Sequence, residues 1–412
     1  MGSKLIPLSS EWTDLRNLTN PETAAAHSTS AIRALNKEAV ARFALHGKRF
    51  TASDVMKSVG LTRATALAVC GDLLNAGWIR EVVPLGGNRV GGETVAAKPR
   101  RRGRPAQEYQ LASFAVAVIG IEAGQHHLTG LVCDLTGEVR VRRWQELSED
   151  DDRLERIRQF RAELMGECPA HARVLCVLGV PAPVGEDGLS PGEPDSFWQV
   201  MNPRLGEELD GDVLVFNDAN LAAEAEAAAA GDSTDVVALI AGERLGAGVI
   251  VDGRLLLGPR GGAGEMRFLT DYFGDEEAHD GMRRLIRKWA QTEIEAGRAT
   301  ELAAGCTAEE VIAACQRGDE VADEIVQRVA VRLARIGNVF GSLLGAMDVA
   351  VVGSAVEIAE VVVERARVEL DSRANGPVPT LRVSHLGRDI VAKGAVAAGM
   401  RHVRENPLYF LG

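Results

Sequence analysis

From Phe114 to the C-terminus the chain repeatedly alternates two kinds of segment. Short apolar runs of strand length stand at Val116–Ile121, Leu128–Asp134, Val139–Trp144, Arg173–Gly179, Val213–Phe216, Val236–Ala241, Ala247–Val251 and Val349–Val352. Helical stretches separate many of them, including Arg153–Met165, Ala219–Ala230, Ala355–Leu370 and several segments across 280–345. Strand-length apolar runs alternating with helical periodicity are the pattern of sheets covered by helices, so this stretch predicts α/β lobes. No run reaches the length of a bilayer span, and Phe114–Ile121 reads as a buried strand.

At 412 residues the chain exceeds one ordinary core, and two or three domains are expected. With 46% hydrophobic but only 4% aromatic residues, those cores must be filled mainly by Ala, Val and Leu. No internal repeat is evident. Cys70, Cys133, Cys168, Cys176, Cys306 and Cys315 form no C-x-x-C pair, and the first ten residues lack a signal-peptide core. Reduced, buried thiols in a cytoplasmic protein without a membrane partner are the expectation.

Before Phe114 the pattern is different. Ile32–Leu45 carries apolar residues near one face. Thr51 and Asp54 suit the start of a second helix ending near Gly60, and a third helix runs Arg63–Asn75, closed by Ala76-Gly77. Two short helices joined by a tight Gly-containing turn predict a helix-turn-helix, with an ordinary helical hairpin as the alternative. Thr62, Arg63 and Thr65 occupy the first turn of the third helix, where hydroxyls, a guanidinium and backbone N–H groups can meet phosphates and base edges. A strand at Trp78–Val83, a glycine-rich turn at Leu85–Glu93 and a return at Tyr109–Leu111 complete a winged helix.

Charge follows the same division. Between Ala31 and Gln110 there are 14 Lys and Arg against 6 Asp and Glu, whereas Leu111–Gly412 has 30 against 49. A basic head on an acidic body points to nucleic acid for the head alone. The segment Lys98-Pro-Arg-Arg-Arg-Gly-Arg-Pro-Ala106 lies on the returning arm of the wing, and Arg102–Pro105 resembles the AT-hook of minor-groove binders. Arg49, Arg89, Arg101, Arg102 and Arg104 join Thr62, Arg63 and Thr65 as candidate DNA contacts. A solvated basic linker is the alternative reading.

An ordered series of motifs runs through the body: Gly120-Ile-Glu-Ala-Gly124, Gly179-Val-Pro-Ala-Pro-Val184, Asn217-Asp-Ala-Asn220, Gly246-Ala-Gly248, Asp252-Gly-Arg-Leu255 and Gly262-Ala-Gly-Glu265. In order and spacing they resemble the ROK family of bacterial repressors, open reading frames and sugar kinases. Arg33-Ala-Leu-Asn36 and Gly103-Arg-Pro105 resemble its repressor branch. The resemblance covers roughly residues 31–405. It implies an N-terminal winged helix-turn-helix followed by a two-lobed, actin-like (ribonuclease H-like) ATPase fold, with a sugar cleft between lobes and assembly as a dimer or tetramer. The expected division is an arm at 1–30, the DNA-binding head at 31–110, a first lobe at 111–232, and a second lobe with dimerisation helices at 233–412.

Departures from the family pattern bear on chemistry. Its kinases open with an Asp-x-Gly-x-Thr loop, where this chain has Glu122-Ala-Gly124-Gln-His-His127. Their second phosphate loop reads Gly-Thr-Gly-x-Gly-Ala-Gly, where this chain has Gly242-Glu-Arg-Leu-Gly246-Ala-Gly248, and an expected Gly-Gly near the adenine site is Gly353-Ser354. Phosphoryl transfer depends on positioning and electrostatics, so a non-enzymatic body without cofactor is expected. The family's zinc motif is missing: Met266-Arg267-Phe268 follows Glu265, Thr270–Arg284 holds no cysteine, and His279 alone cannot make a tetrahedral site.

Asn202, Asn217, Asp218 and Glu265 match positions where the family holds sugar hydroxyls, and Asp218 matches the catalytic base of its kinases. A plainer role for Asn217 and Asp218 is capping the following helix. These readings together lead to a DNA-binding regulator, a repressor, that grips double-stranded operator DNA as a homo-oligomer and answers to a carbohydrate effector. A sugar kinase with an appended head, or a DNA-binding regulator without a small-molecule effector, stand as alternatives.

Overall fold

The computed structural model describes residues 21–82, 106–193, 196–231, 235–269, 279–345, 348–373 and 378–411. The chain begins with a long helix α1 (Pro21–Ala44), a short strand β1 (Phe50–Thr51), and helices α2 (Ala52–Val59) and α3 (Arg63–Asn75). Residues 21–30, expected to belong to an arm, are therefore the first turns of α1. Pro21 opens it with a pre-set φ, and Ala24, Ala25 and Ala26 cost little to hold helical.

Local chemistry sets the ends of α2. The Thr51 hydroxyl accepts the Asp54 N–H at 3.3 Å while the Asp54 carboxylate accepts the Thr51 N–H at 2.8 Å, a reciprocal capping box. Gly60 ends the helix in the left-handed region at φ 77. Strands β2 (Ile79–Glu81) and β3 (Glu108–Leu111) pair antiparallel, and β3 also pairs β1, making a three-stranded sheet in the order β1-β3-β2. Val40, Ala44, Phe50, Val55, Val69, Leu73 and Trp78 fill the space between helices and sheet. Residues 83–105, between β2 and β3, lie outside the described residues, and with them Arg89, Arg101, Arg102, Arg104 and the Gly-Arg-Pro arm.

The first lobe contains β4 (Val116–Ala123), β5 (His127–Asp134), β6 (Val139–Glu146), helix α4 (Arg153–Gly166), β7 (Arg173–Val180), short helices α5 (Phe197–Met201) and α6 (Leu205–Glu208), β8 (Asp212–Asn217) and α7 (Asp218–Ala229). Its sheet order is β6-β5-β4-β7-β8, antiparallel from β6 to β4 and parallel from β4 to β8. Ile157, Phe160 and Leu164 of α4 bury against Ile119, Ile121 and Leu128 on one face.

The second lobe holds β9 (Val236–Ile240), β10 (Gly246–Val251), β11 (Arg254–Leu255), helices α8 (Met282–Glu295), α9 (Ala308–Arg317) and α10 (Glu320–Leu344), β12 (Asp348–Val352), α11 (Val356–Arg373) and β13 (Thr380–Val383). Its order is β11-β10-β9-β12-β13, again three antiparallel strands followed by two parallel ones. Numbered within each lobe, both sheets run 3-2-1-4-5. The sequence shows no repeat, yet the topology repeats, because strand order depends on connection geometry rather than on residue identity.

Helix α12 (Ile390–Glu405) returns to the first lobe and covers the other face of its sheet, beside α7. The approach is so close that a Cβ at Gly394 would fall 1.7 Å from the Leu221 carbonyl oxygen of α7, and one at Gly120 would fall 2.5 Å from Ala392 O. The terminal turn α13 (Pro407–Phe410) meets α1, where Arg42 donates to the Glu405 carbonyl at 2.9 Å. Among the described residues no helix is long and apolar enough to cross a membrane.

Candidate functional site

The site is built where β8 hands over to α7. Asn217 keeps an extended backbone, its side-chain oxygen accepts the Asn220 N–H at 3.1 Å, and its amide nitrogen donates to Ala182 O and Asp218 Oδ1, each at 3.1 Å. Capping is therefore one job of Asn217. Asp218 occupies the first helical position, with Oδ1 accepting the Ala219 N–H at 2.8 Å. Behind it, α7 lies on β10 of the second lobe, an approach that Gly248 permits: a Cβ there would sit 2.0 Å from Ala219 O. In this chain Gly248 is a packing glycine that sets Asp218 against the opposite lobe.

Asn217 and Asp218 from the first lobe and Glu265 from the second line one cleft between the lobes, with Trp198, Arg244 and His279. It opens to solvent. Burial pushes the Asp218 carboxyl up to about 7, the Ala219 N–H opposes the rise, and the nearby Glu122 and Glu265 carboxylates add to it. Burial likewise raises Glu265, against the pull of the Arg267 N–H and guanidinium. A carboxyl near neutrality can either donate or accept hydrogen bonds, which suits hydroxyl recognition as well as proton transfer.

Asn202 lies apart from the cleft lining. It is 1% exposed, its amide donates to Gly188 O and Ser190 Oγ at 3.0 Å each, and its oxygen accepts the Leu205 N–H at 3.3 Å. Its hydrogen-bonding capacity holds the Gly188–Ser190 loop and the start of α6.

The loops likened above to phosphate-binding segments carry bulky or charged side chains. At the β4–β5 turn, the His127 ring sits where a Cβ on Gly124 would touch it at 2.8 Å, and His127 Nε2 lies 3.2 Å from Glu122 Oε1. That contact raises the His127 pKa, with burial opposing it. Arg153 ties the same turn from behind, donating to Gly124 O at 2.7 Å, Met201 O at 3.1 Å and Ala123 O. In the second loop, Glu243 is held by both terminal nitrogens of Arg287 at 2.9 and 2.7 Å. Arg244 reaches across the cleft, its guanidinium 3.5 Å above the Phe197 ring, and Arg267 stacks 3.8 Å from the Trp198 ring centre. The Ser354 hydroxyl lies against Gly242, 2.5 Å from where a Cβ would stand.

The ROK family model matches residues 118–400. The chain belongs to the ROK family. The match covers both lobes of the body and agrees with the ordered motifs. This ROK protein is 25% identical over 255 residues to the xylose repressor of Caldicellulosiruptor bescii, an alignment spanning 60% of this chain and 61% of that repressor, less than two thirds of its length. It is 27% identical over 232 residues to the N-acetylmannosamine kinase of Escherichia coli O157:H7, covering 54% of this chain and 77% of the kinase. Among solved structures it resembles a ROK family transcriptional regulator, a homologue of the E. coli MLC protein, with a TM-score of 0.66, 20% identity, and 92% and 99% of the two chains covered. A ROK glucokinase from Streptomyces griseus gives a TM-score of 0.55 at 21% identity, covering 68% of this chain and 98% of the kinase. The fold is thus mixed α/β with an actin-like ROK body.

In the head of this ROK protein, Thr62 caps α3, accepting the Thr65 N–H at 3.3 Å, and the two hydroxyls are 2.9 Å apart. Thr62 and Arg63 are exposed and Thr65 is half-buried; Arg49 is exposed in the turn before β1. Arg33 and Lys37, by contrast, are drawn to Asp72 at 2.9 and 3.2 Å. Among the described residues no group of three or more His, Cys, Asp or Glu side chains could hold a metal, and His279 Nε2 is 3.7 Å from Asp280.

Sequence reasoning passed over Trp198 and Phe197, which carried no motif, and took Arg244 only as damage to a loop. Its signal was available: a guanidinium placed in a glycine-rich turn has to point somewhere, and here that is the cleft.

Proposed function

We propose that this ROK protein is a DNA-binding transcriptional regulator, a repressor, whose body recognises a carbohydrate without phosphorylating it. The observation that carries this reading is the helix-turn-helix head, whose third helix turns Thr62 and Arg63 to solvent at its N-terminus. In this reading the head (31–110) reads the operator with Arg49, Thr62, Arg63 and Thr65, Arg89 and Arg101 add DNA contacts, and Arg102 and Arg104 enter the minor groove. The first lobe, 111–232 completed by α12, and the second lobe from 233 onward form the sensing body, and a homodimer or tetramer presents paired heads to a palindromic site. Asn217, Asp218 and Glu265 take the effector's hydroxyls. Effector binding shifts the heads through its differential affinity for two arrangements of the lobes.

The plugged phosphate loops support a non-catalytic body. Phosphoryl transfer needs backbone N–H groups and a metal around the triphosphate, and in this reading Arg244 on the cleft, His127 against Gly124 and Ser354 against Gly242 obstruct them. Fluorescence anisotropy with fragments from upstream of the protein's own operon, at moderate salt, tests the regulator reading. Equal affinity for unrelated DNA of the same length sinks it.

One observation favours a second reading. Asp218, raised to about 7 inside the cleft, has the protonation behaviour of a general base for a sugar hydroxyl. A sugar kinase with an appended head requires ATP-dependent phosphorylation that disappears in Asp218→Ala, which a coupled assay over a hexose panel detects.

A further inference from the structure

The second phosphate loop has exchanged small residues for two opposite charges, and the structure treats them differently. Glu243 is turned to Arg287 and neutralised there through two hydrogen bonds. Arg244 lines the cleft. Its guanidinium carbon lies 3.5 Å from the Phe197 ring centre, a cation–π contact that engages the face of the group and not its N–H donors. Among the described residues no carboxylate forms an ion pair with that side chain. Asp280, bridged to Arg244 through the backbone, is itself paired with Arg284 at 2.9 Å.

The opposite part of the cleft is less negative than its residue types suggest. Burial holds the Asp218 carboxyl up near neutrality and raises that of Glu265, while the partial burial of Arg244 disfavours its charge. Glu265, Asp280 and Asp218 act on Arg244 only through space, and a partly desolvated guanidinium gains most from a planar or multidentate anion. The cleft places Arg244 within one lining with Asp218 and Glu265.

We infer that the cleft takes an anionic saccharide, a sugar phosphate or a sugar acid, with Arg244 holding the anionic group and Asp218 and Glu265 the ring hydroxyls. This rests on the carbohydrate-sensing reading above and narrows it to one chemical class. Arg244 then does the opposite of what its place in a damaged phosphate loop suggests: one side chain substitutes for the lost N–H cradle and reads the ligand's anion.

The test is calorimetry on the full chain with glucose 6-phosphate, N-acetylglucosamine 6-phosphate, glucuronate and gluconate, set against glucose, N-acetylglucosamine, xylose and inorganic phosphate. At least one anionic sugar is expected to bind about tenfold or more tighter than its neutral parent, as one charge-assisted hydrogen-bonded pair provides. The phosphate and carboxylate arms tell which anion is meant. Arg244→Gln should bring the two classes within about twofold of each other, whereas Asp218→Asn weakens both classes. The wild-type comparison needs no variant to fold. Neutral sugars binding as tightly as anionic ones overturn this inference and leave the sensing reading standing. Binding of neither class overturns both. Inorganic phosphate binding as tightly as the sugar phosphates also overturns the inference, since the saccharide would then contribute nothing.

Discussion

Replacing Asp218 by Asn should make the unliganded protein more stable at alkaline pH and leave it nearly unchanged in acid. Burial first, and then repulsion from the nearby Glu122 and Glu265 carboxylates, make the charged form of Asp218 the disfavoured one. A carboxyl moved from 3.8 to about 7 has its ionised state disfavoured by roughly 4 kcal/mol, and partial solvent exposure reduces this to about 2–4 kcal/mol. The sign follows from proton counting. Between pH 4 and 7 the folded protein holds a proton that the unfolded chain has released, so wild-type stability falls as pH rises through this window. Asn cannot ionise and escapes that loss. Its amide oxygen can still accept the Ala219 N–H, the bond that Asp218 makes at 2.8 Å, so the helix start is preserved. For a cooperative body of about 300 residues the unfolding entropy is roughly 0.6 kcal/mol/K, which places the expected gain in Tm at about 3–6 °C at pH 8. At pH 5 the gain should be less than half of that. Thermal unfolding of both proteins across pH 4.5–8.5 measures it. A gain independent of pH, or an Asn variant less stable at pH 8, would refute the account of Asp218 as a buried, mutually repelled carboxyl.

Three further outcomes are expected. Gly394→Ala should lower stability by about 1–3 kcal/mol or more, because its Cβ would fall 1.7 Å from Leu221 O, whereas Gly71→Ala, with nothing within 4 Å in the middle of α3, should raise it by about 0.5–1 kcal/mol; thermal unfolding separates the two. Thr51→Ala removes one half of the capping box and should cost about 1 kcal/mol, seen as faster hydrogen exchange across α2, with unchanged exchange counting against the cap. Arg63→Ala should weaken DNA binding and, if Arg63 meets a phosphate, lower the slope of log affinity against log salt by about 1; an unaltered binding curve removes Arg63 from the interface.

Much of the architecture was legible because its signals are local. Thr51 with Asp54 and Thr62 with Thr65 cap α2 and α3 through contacts three residues apart, and the predicted span Arg63–Asn75 is the span of α3. Apolar runs marked β4, β5, β7 and β9 within two residues, since a strand buried on both faces leaves a continuous hydrophobic stretch. Helix α12 and strand β13 were not anticipated from residue pattern. Gly394 and Gly399 are poor helix formers, and they are tolerated in α12 because a neighbouring element, remote in sequence, needs the room.

For the site, the ordered motifs brought Asn217, Asp218 and Glu265 together from lobes almost fifty residues apart in sequence, and the structure places all three on one cleft. Asn202 belonged to the same expectation, yet its amide is consumed by Gly188, Ser190 and Leu205. Residue type alone cannot distinguish a side chain open to a ligand from one already satisfied. The linear order of residues carried periodicity, caps, charge division and family motifs, all of which are properties of neighbours or of pattern. Which glycine cradles a phosphate and which admits a helix, which arginine is cancelled and which faces a cavity, and where a carboxyl's pKa comes to rest were decided only by tertiary packing. Those properties depend on desolvation and on distances between groups far apart in the chain, and such distances exist only once the lobes have closed on α7 and α12.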